Sequence, residues 1–166
     1  MNKINKEGFW PKDWIIAEVR DSFGNLKDTH YAEDLITSAG KAGVAARILK
    51  DITTVSGFDY VAIGTGSTAA STGDTALGGQ KAIAPATGTR VTTTVTNDTS
   101  QLVYVFSSGK PAGLNGYSTG TKAIRESGVL SQTSSGVLLC RQKFSDLNVE
   151  WNSGDSLSIT WKVQVT

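Results

Sequence analysis

The chain has 166 residues, and its 16 Lys+Arg against 15 Asp+Glu leave a formal net charge of +1. That length suits one core-bearing domain, or one domain with a short appendage. The near-balance of charge gives no electrostatic reason to expect a nucleic acid or an anionic membrane as partner. Gly accounts for 18 residues, about 11 % against a typical ~7 %. Ser, Thr and Val are also abundant, a composition that favours strands joined by turns.

The chain divides near residue 55. Region 1–55 is expected to hold an arm, a strand hairpin and a helix, and region 56–166 a β-domain. Met1 to Glu7 carries charges with no apolar stretch behind them, so no secretory leader is expected. No run reaches the ~18 apolar residues of a membrane span. Phe9, Trp10 and Trp14 place three large aromatics within six residues. Aromatic anchors dominate many interfaces, so these three are candidate assembly contacts; completion of the chain's own core is the equal alternative.

Trp14 to Arg20 reads as a strand, Asp21 to Asn25 as a turn, and Leu26 to Tyr31 as a short returning strand. Ser38 to Asp51 is the helix candidate. Ala39, Ala42, Ala46 and Leu49 fall at steps of three and four, with Ala45 and Ile48 widening the apolar stripe. Ser38 is a suitable N-cap. Gly40 and Gly43 each weaken the helix by about 1 kcal/mol relative to Ala, but would let it approach another backbone closely.

Gly57 to Gly64 reads as a strand, and Thr65 to Gly79 as a long loop of small and polar residues with Leu77 as its one large apolar group. Thr89 to Thr96 and Gln101 to Ser107 read as a hairpin about the turn at 97–100. A Gly- and Ser-rich loop follows at 108–120, then strands at 122–130, broken at Gly128, and 136–144. Residues 156–165 have the cleanest period of two, with Leu157, Ile159, Trp161, Val163 and Val165 on one face. The expected fold is mainly β: an antiparallel β-sandwich or jelly-roll-like barrel with one short helix.

Little in the sequence offers chemistry. His30 is the one histidine, in a polar segment without a nucleophile elbow, and reads as a surface or loop residue. Cys140 is the one cysteine, so there is no intrachain disulfide. Within the apolar run Val137 to Cys140 it reads as a small buried hydrophobe. Gly64-Thr65-Gly66-Ser67-Thr68 lacks the Gly-Lys-Ser/Thr of a phosphate loop. Asp74 with Thr65, Thr72 and Thr75 offers oxygens for a hard cation, without the spacing of a calcium loop. The other carboxylates are scattered over turns and strand ends. Trp151 and Tyr117 are possible sugar or base contacts, although packing over a sheet edge is favoured for both. No enzyme activity, metal or cofactor is expected.

Three segments, taken in order, carry a resemblance. They are Phe58 to Thr68 (FDYVAIGTGST) with Asp74 to Gly78 (DTALG), Lys122 to Leu130 (KAIRESGVL), and Gly136 to Phe144 (GVLLCRQKF) with Asp155 to Val165 (DSLSITWKVQV). Together they resemble a family of small structural proteins of tailed-bacteriophage particles, of the head-decoration or tail-associated type. The chain departs from that pattern at Ser127 and Cys140, where Ala is common. The resemblance spans roughly residues 57–166 and implies a non-enzymatic virion component, assembled in the host cytoplasm. A capsid decoration (cement) protein is the leading reading. A tail, neck or fibre module, or a host-glycan-binding module, is the alternative. Expected partners are the major capsid protein or other virion proteins, with a homo-oligomer, for instance a trimer, on the particle.

Overall fold

The computed structural model describes residues 12–48, 55, 57–108 and 119–165. Among them, ten strands form two five-stranded sheets with every pairing antiparallel. Sheet A is ordered β2 (Leu26–Glu33), β1 (Lys12–Arg20), β10 (Ser156–Gln164), β7 (Thr99–Ser107), β6 (Thr87–Val91). Sheet B is ordered β3 (Leu35–Ile36), β9 (Leu138–Glu150), β8 (Thr121–Leu130), β4 (Tyr60–Gly64), β5 (Gln80–Pro85). Of the two expected architectures this is the sandwich. Residues 12–36 supply strands to both sheets.

Inward-facing residues of the two sheets meet in one core. On β10, Leu157, Ile159 and Trp161 are fully buried, as the period of two predicts. The alternation fails at the end of the strand. Gln164 is buried and donates to the Asp98 carboxylate at 2.9 Å, while Val165 is exposed. On β1, Ile15, Ala17 and Val19 face inward toward Phe106, Ile124 and Phe144. Burial of each such large side chain is worth about 1.5–3 kcal/mol. The Trp161 indole N–H donates to Ser127 Oγ at 3.0 Å, and that hydroxyl donates to the Ala62 carbonyl at 2.8 Å. A polar thread thus crosses the core with both donors satisfied.

The chain passes between the sheets at single residues, at Asp34 between β2 and β3 and at Ala86 between β5 and β6. Each corner is held by its own backbone N–H. Asp34 donates to the Asp13 carbonyl at 3.0 Å and Ala86 to the Asp59 carbonyl at 2.7 Å.

The helix α1 (Ser38–Ile48) is present, with two differences from expectation. Its cap is Thr37 rather than Ser38: the Gly40 N–H donates to Thr37 Oγ1 at 2.9 Å. Its buried face is Gly40 and Gly43, while Ala42, Ala45 and Ile48 point to solvent. A Cβ at Gly40 would collide with the Leu139 carbonyl, so close backbone approach decides the docking face over side-chain hydrophobicity. Leu49 lies outside the described residues.

Three strand expectations also change. β6 ends at Val91, and residues 92–98 form a loop, because the Asp98 carboxylate accepts from the N–H groups of Thr93, Thr94 and Val95. β5 was not expected. β8 runs through Gly128 unbroken: a side chain there would press on Leu77 and the Cys140 carbonyl.

Candidate functional site

Consecutive residues of a strand point to opposite faces. Cys140 and Arg141, consecutive on β9, therefore anchor two different clusters on the two sides of sheet B.

Arg141 faces outward, beneath the loop 65–79. Its Nε donates to Glu126 Oε2 at 2.8 Å and its NH1 to Asp74 Oδ2 at 2.7 Å. Its NH2 donates to the Thr68 carbonyl at 2.9 Å. Glu126, on β8, is fully buried. Besides Arg141 it accepts from the N–H groups of Gly66 at 2.8 Å, Gly78 at 3.0 Å and Gly79 at 2.6 Å. Burial pushes the Glu126 carboxyl up, but Arg141 and the three N–H groups outweigh it and hold the group below its ordinary value. Burial likewise opposes the Arg141 charge, and Asp74 and Glu126 more than restore it. Asp74, lifted by its desolvation, is lowered overall by the Ser71 N–H and Arg141. Leu77 seals the loop against Ala62, Leu130 and Leu138. Asp74 is therefore an anchor for Arg141, not the hard-cation ligand considered from sequence. The loop is a clasp closed by a buried ion network.

Cys140 faces inward, and two carboxyls meet it. Asp13 continues the inward alternation of Ile15, Ala17 and Val19, and is 4 % exposed. Asp34 sits at the corner between β2 and β3. The donor atoms of Asp13, Asp34 and Cys140 all lie within 4.8 Å of one another. Asp13 Oδ2 and both Asp34 carboxyl oxygens are buried with no hydrogen-bond partner when the acids are ionised. Burial, then the Asp13 charge, pushes Asp34 up to about 9. Burial raises Asp13, in part offset by contact with Asp34 and Cys140. Burial, reinforced by both acids, raises the Cys140 thiol well above its ordinary value. A proton held between the two carboxyls relieves the crowding. Asp13 and Asp34 also line a cavity of about 550 Å³, together with Trp14, Tyr31, Lys41 and Gln164.

The structure separates the residues singled out from sequence. Trp14 lies half-buried on the outer face of β1, with Lys162 Nζ 5.9 Å from its ring centroid. Phe9, Trp10 and Tyr117 lie outside the described residues. Trp151 is buried in the core, which removes it as a ligand contact and bears out the packing reading. His30 is on a strand rather than a loop, half-buried, with its ring 5.1 Å from that of Phe144. Cys140 is buried, as expected, but beside two carboxyls rather than in wholly apolar company.

Sequence reasoning missed both clusters. For the clasp, the available signal was a charge inside an apolar run, Glu126 ahead of Val129-Leu130 and Arg141 after Leu138-Leu139-Cys140. For the acid pair, it was the parity of β1: two residues back from Ile15, on the same face, Asp13 falls at a core position. No family model, no curated protein and no solved structure matches the chain.

Proposed function

We propose that the chain is a non-enzymatic structural component of a tailed-phage particle, a decoration protein seated on the major capsid protein as a homo-oligomer. One observation carries this reading. The three segments that resemble such proteins converge on a single network: Gly66, Asp74 and Gly78 come from the first, Glu126 from the second and Arg141 from the third. Convergence across 75 residues of chain is what a shared structural element produces, and scattered coincidence would not select the members of one ion network.

The outer face of sheet A suits docking. Tyr31, Ile16, Thr160 and Val103 lie in one cross-strand row, with Trp14 and Val105 in neighbouring rows. Tyr31 and Val105 are exposed, and Trp14, Ile16 and Val103 are half-buried. Aromatic and aliphatic groups of this kind provide anchors, and Glu18, Glu33 and Lys162 lie beside them in the Trp14 and Val105 rows.

Cryo-EM of particles reconstituted with the purified chain tests the reading. Symmetric copies of the sandwich on the head, with Trp14→Ala weakening attachment by tenfold or more, are expected. A chain that stays monomeric and binds no particle lacking it would overturn the proposal, and density confined to the tail would replace the decoration role with a tail role.

A further inference from the structure

We propose that Asp13, Asp34 and Cys140 form a three-ligand site for a divalent cation of borderline softness, of the Zn²⁺ type, with the fourth position open to the adjoining cavity.

The first support is the donor set. Two carboxylate oxygens and one thiolate suit Zn²⁺ or Co²⁺, whereas Ca²⁺ and Mg²⁺ take six or more oxygens and no sulfur. Among the described residues these three donors form the one such cluster, all within 4.8 Å of one another. Ligand atoms of a tetrahedral zinc stand about 3.5 Å apart, so rotation of the carboxyls closes the shell.

The second support is independent of that grouping. Asp13 is more than nine-tenths buried and its Oδ2 has no partner. Buried carboxyl oxygens are paired, hydrogen-bonded, bound to metal or neutralised by a proton. Both carboxyl oxygens of Asp34 are likewise buried with no hydrogen-bond partner. A divalent ion supplies the missing positive charge without moving the backbone.

The third support is the fixed frame. Asp13 lies on β1, and Asp34 is tied to it by its N–H at 3.0 Å. Cys140 is paired with Ile36 on β3 and Val129 on β8. Three ligands on a sheet corner are held before the ion arrives, which lowers the entropic cost of binding. The site adjoins the cavity that Asp13 and Asp34 help to line, while its carboxyl oxygens and Cys140 are themselves buried. Binding displaces protons from the carboxyl pair and the thiol to solvent, with no change of oxidation state.

The test is titration of Co²⁺ into the full, untagged, reduced and chelator-stripped chain. Because Cys140 is the one cysteine in the sequence, a thiolate-to-Co²⁺ charge-transfer band identifies the site from the unmodified protein alone. Expected are 1:1 saturation with that band, its loss on adding Zn²⁺, and a higher Tm with Zn²⁺ than with chelator. Asp13→Asn and Cys140→Ala, each checked for a native melt, are expected to weaken Zn²⁺ binding more than tenfold. The proposal is overturned by no saturable binding at micromolar Co²⁺, by a Co²⁺ spectrum without the thiolate band, or by unchanged affinity in Cys140→Ala.

Discussion

Two buried charge clusters stand back to back on β9, and they solve the same problem differently. On the Arg141 side, every carboxylate has a guanidinium or backbone N–H to answer it, and the result is a locked loop. On the Cys140 side, two carboxyls and a thiol face one another, Asp13 Oδ2 and both Asp34 oxygens lack a hydrogen-bond partner, and the result is a crowded site that holds protons. Burial of charge is tolerable when its hydrogen bonds are complete, and otherwise the group neutralises. The first cluster is architecture. The second retains an unmet demand for positive charge, which is where ligand chemistry is to be sought.

The largest effect is expected from breaking the completed cluster. Glu126→Ala or Arg141→Ala leaves the other charge buried and unanswered, and the cost in urea unfolding is expected to be about 3–5 kcal/mol. The double variant Glu126→Leu/Arg141→Met is expected to recover part of that loss. A single-variant cost below about 1 kcal/mol would mean that the network does not hold the loop.

A smaller effect comes from crowding the same carboxylate. A Cβ at Gly66 would stand 2.5 Å from Glu126 Oε1. Gly66→Ala is expected to cost about 1–3 kcal/mol, as overpacking does. Gly73→Ala, where the nearest atom is Ser71 Oγ at 3.9 Å, is expected to cost much less. Equal melting temperatures for the two variants would remove the packing argument.

The mildest change sharpens the contrast on the other side. In the folded, metal-free chain Asp34 keeps its proton to about pH 9, while the unfolded chain loses it near the ordinary 3.8. The folded state therefore binds more protons across that window, and stability falls as pH rises from about 4 to 9. Glu126 has the opposite sign. Its folded value is lowered from 4.5, so its contribution is present above that pH and lost as pH falls through the folded value. Asp34→Asn is expected to stabilise the metal-free chain at pH 8 by on the order of 1–2 kcal/mol and to flatten the alkaline decline. Melts across pH 4–9 that superimpose for wild type and variant would contradict this.

How much of this was legible in the sequence depended on whether the signal was local. The alternation of Leu157, Ile159 and Trp161 revealed β10 because a strand's period is written in neighbouring residues. Thr89 to Thr96 has the same look, yet Asp98 turns its second half into a loop by capturing three N–H groups. The helix was legible, but its docking face was not, because Gly40 and Gly43 act through backbone approach and leave no hydrophobic stripe. The clasp joins Gly66, Asp74, Glu126 and Arg141 across long separations, and no local pattern pairs them. Asp13 shares the parity of Ile15, but a strand read from Trp14 excludes it, whereas β1 begins two residues earlier at Lys12.

The most direct measurement is a carboxyl-carbon NMR titration of the metal-free chain, following Glu126 and Asp34 in one experiment. Expected is a Glu126 carboxylate still ionised below its ordinary range and an Asp34 that keeps its proton to about pH 9. Both groups titrating near pH 4 would contradict the distinction between a completed and an incomplete buried cluster.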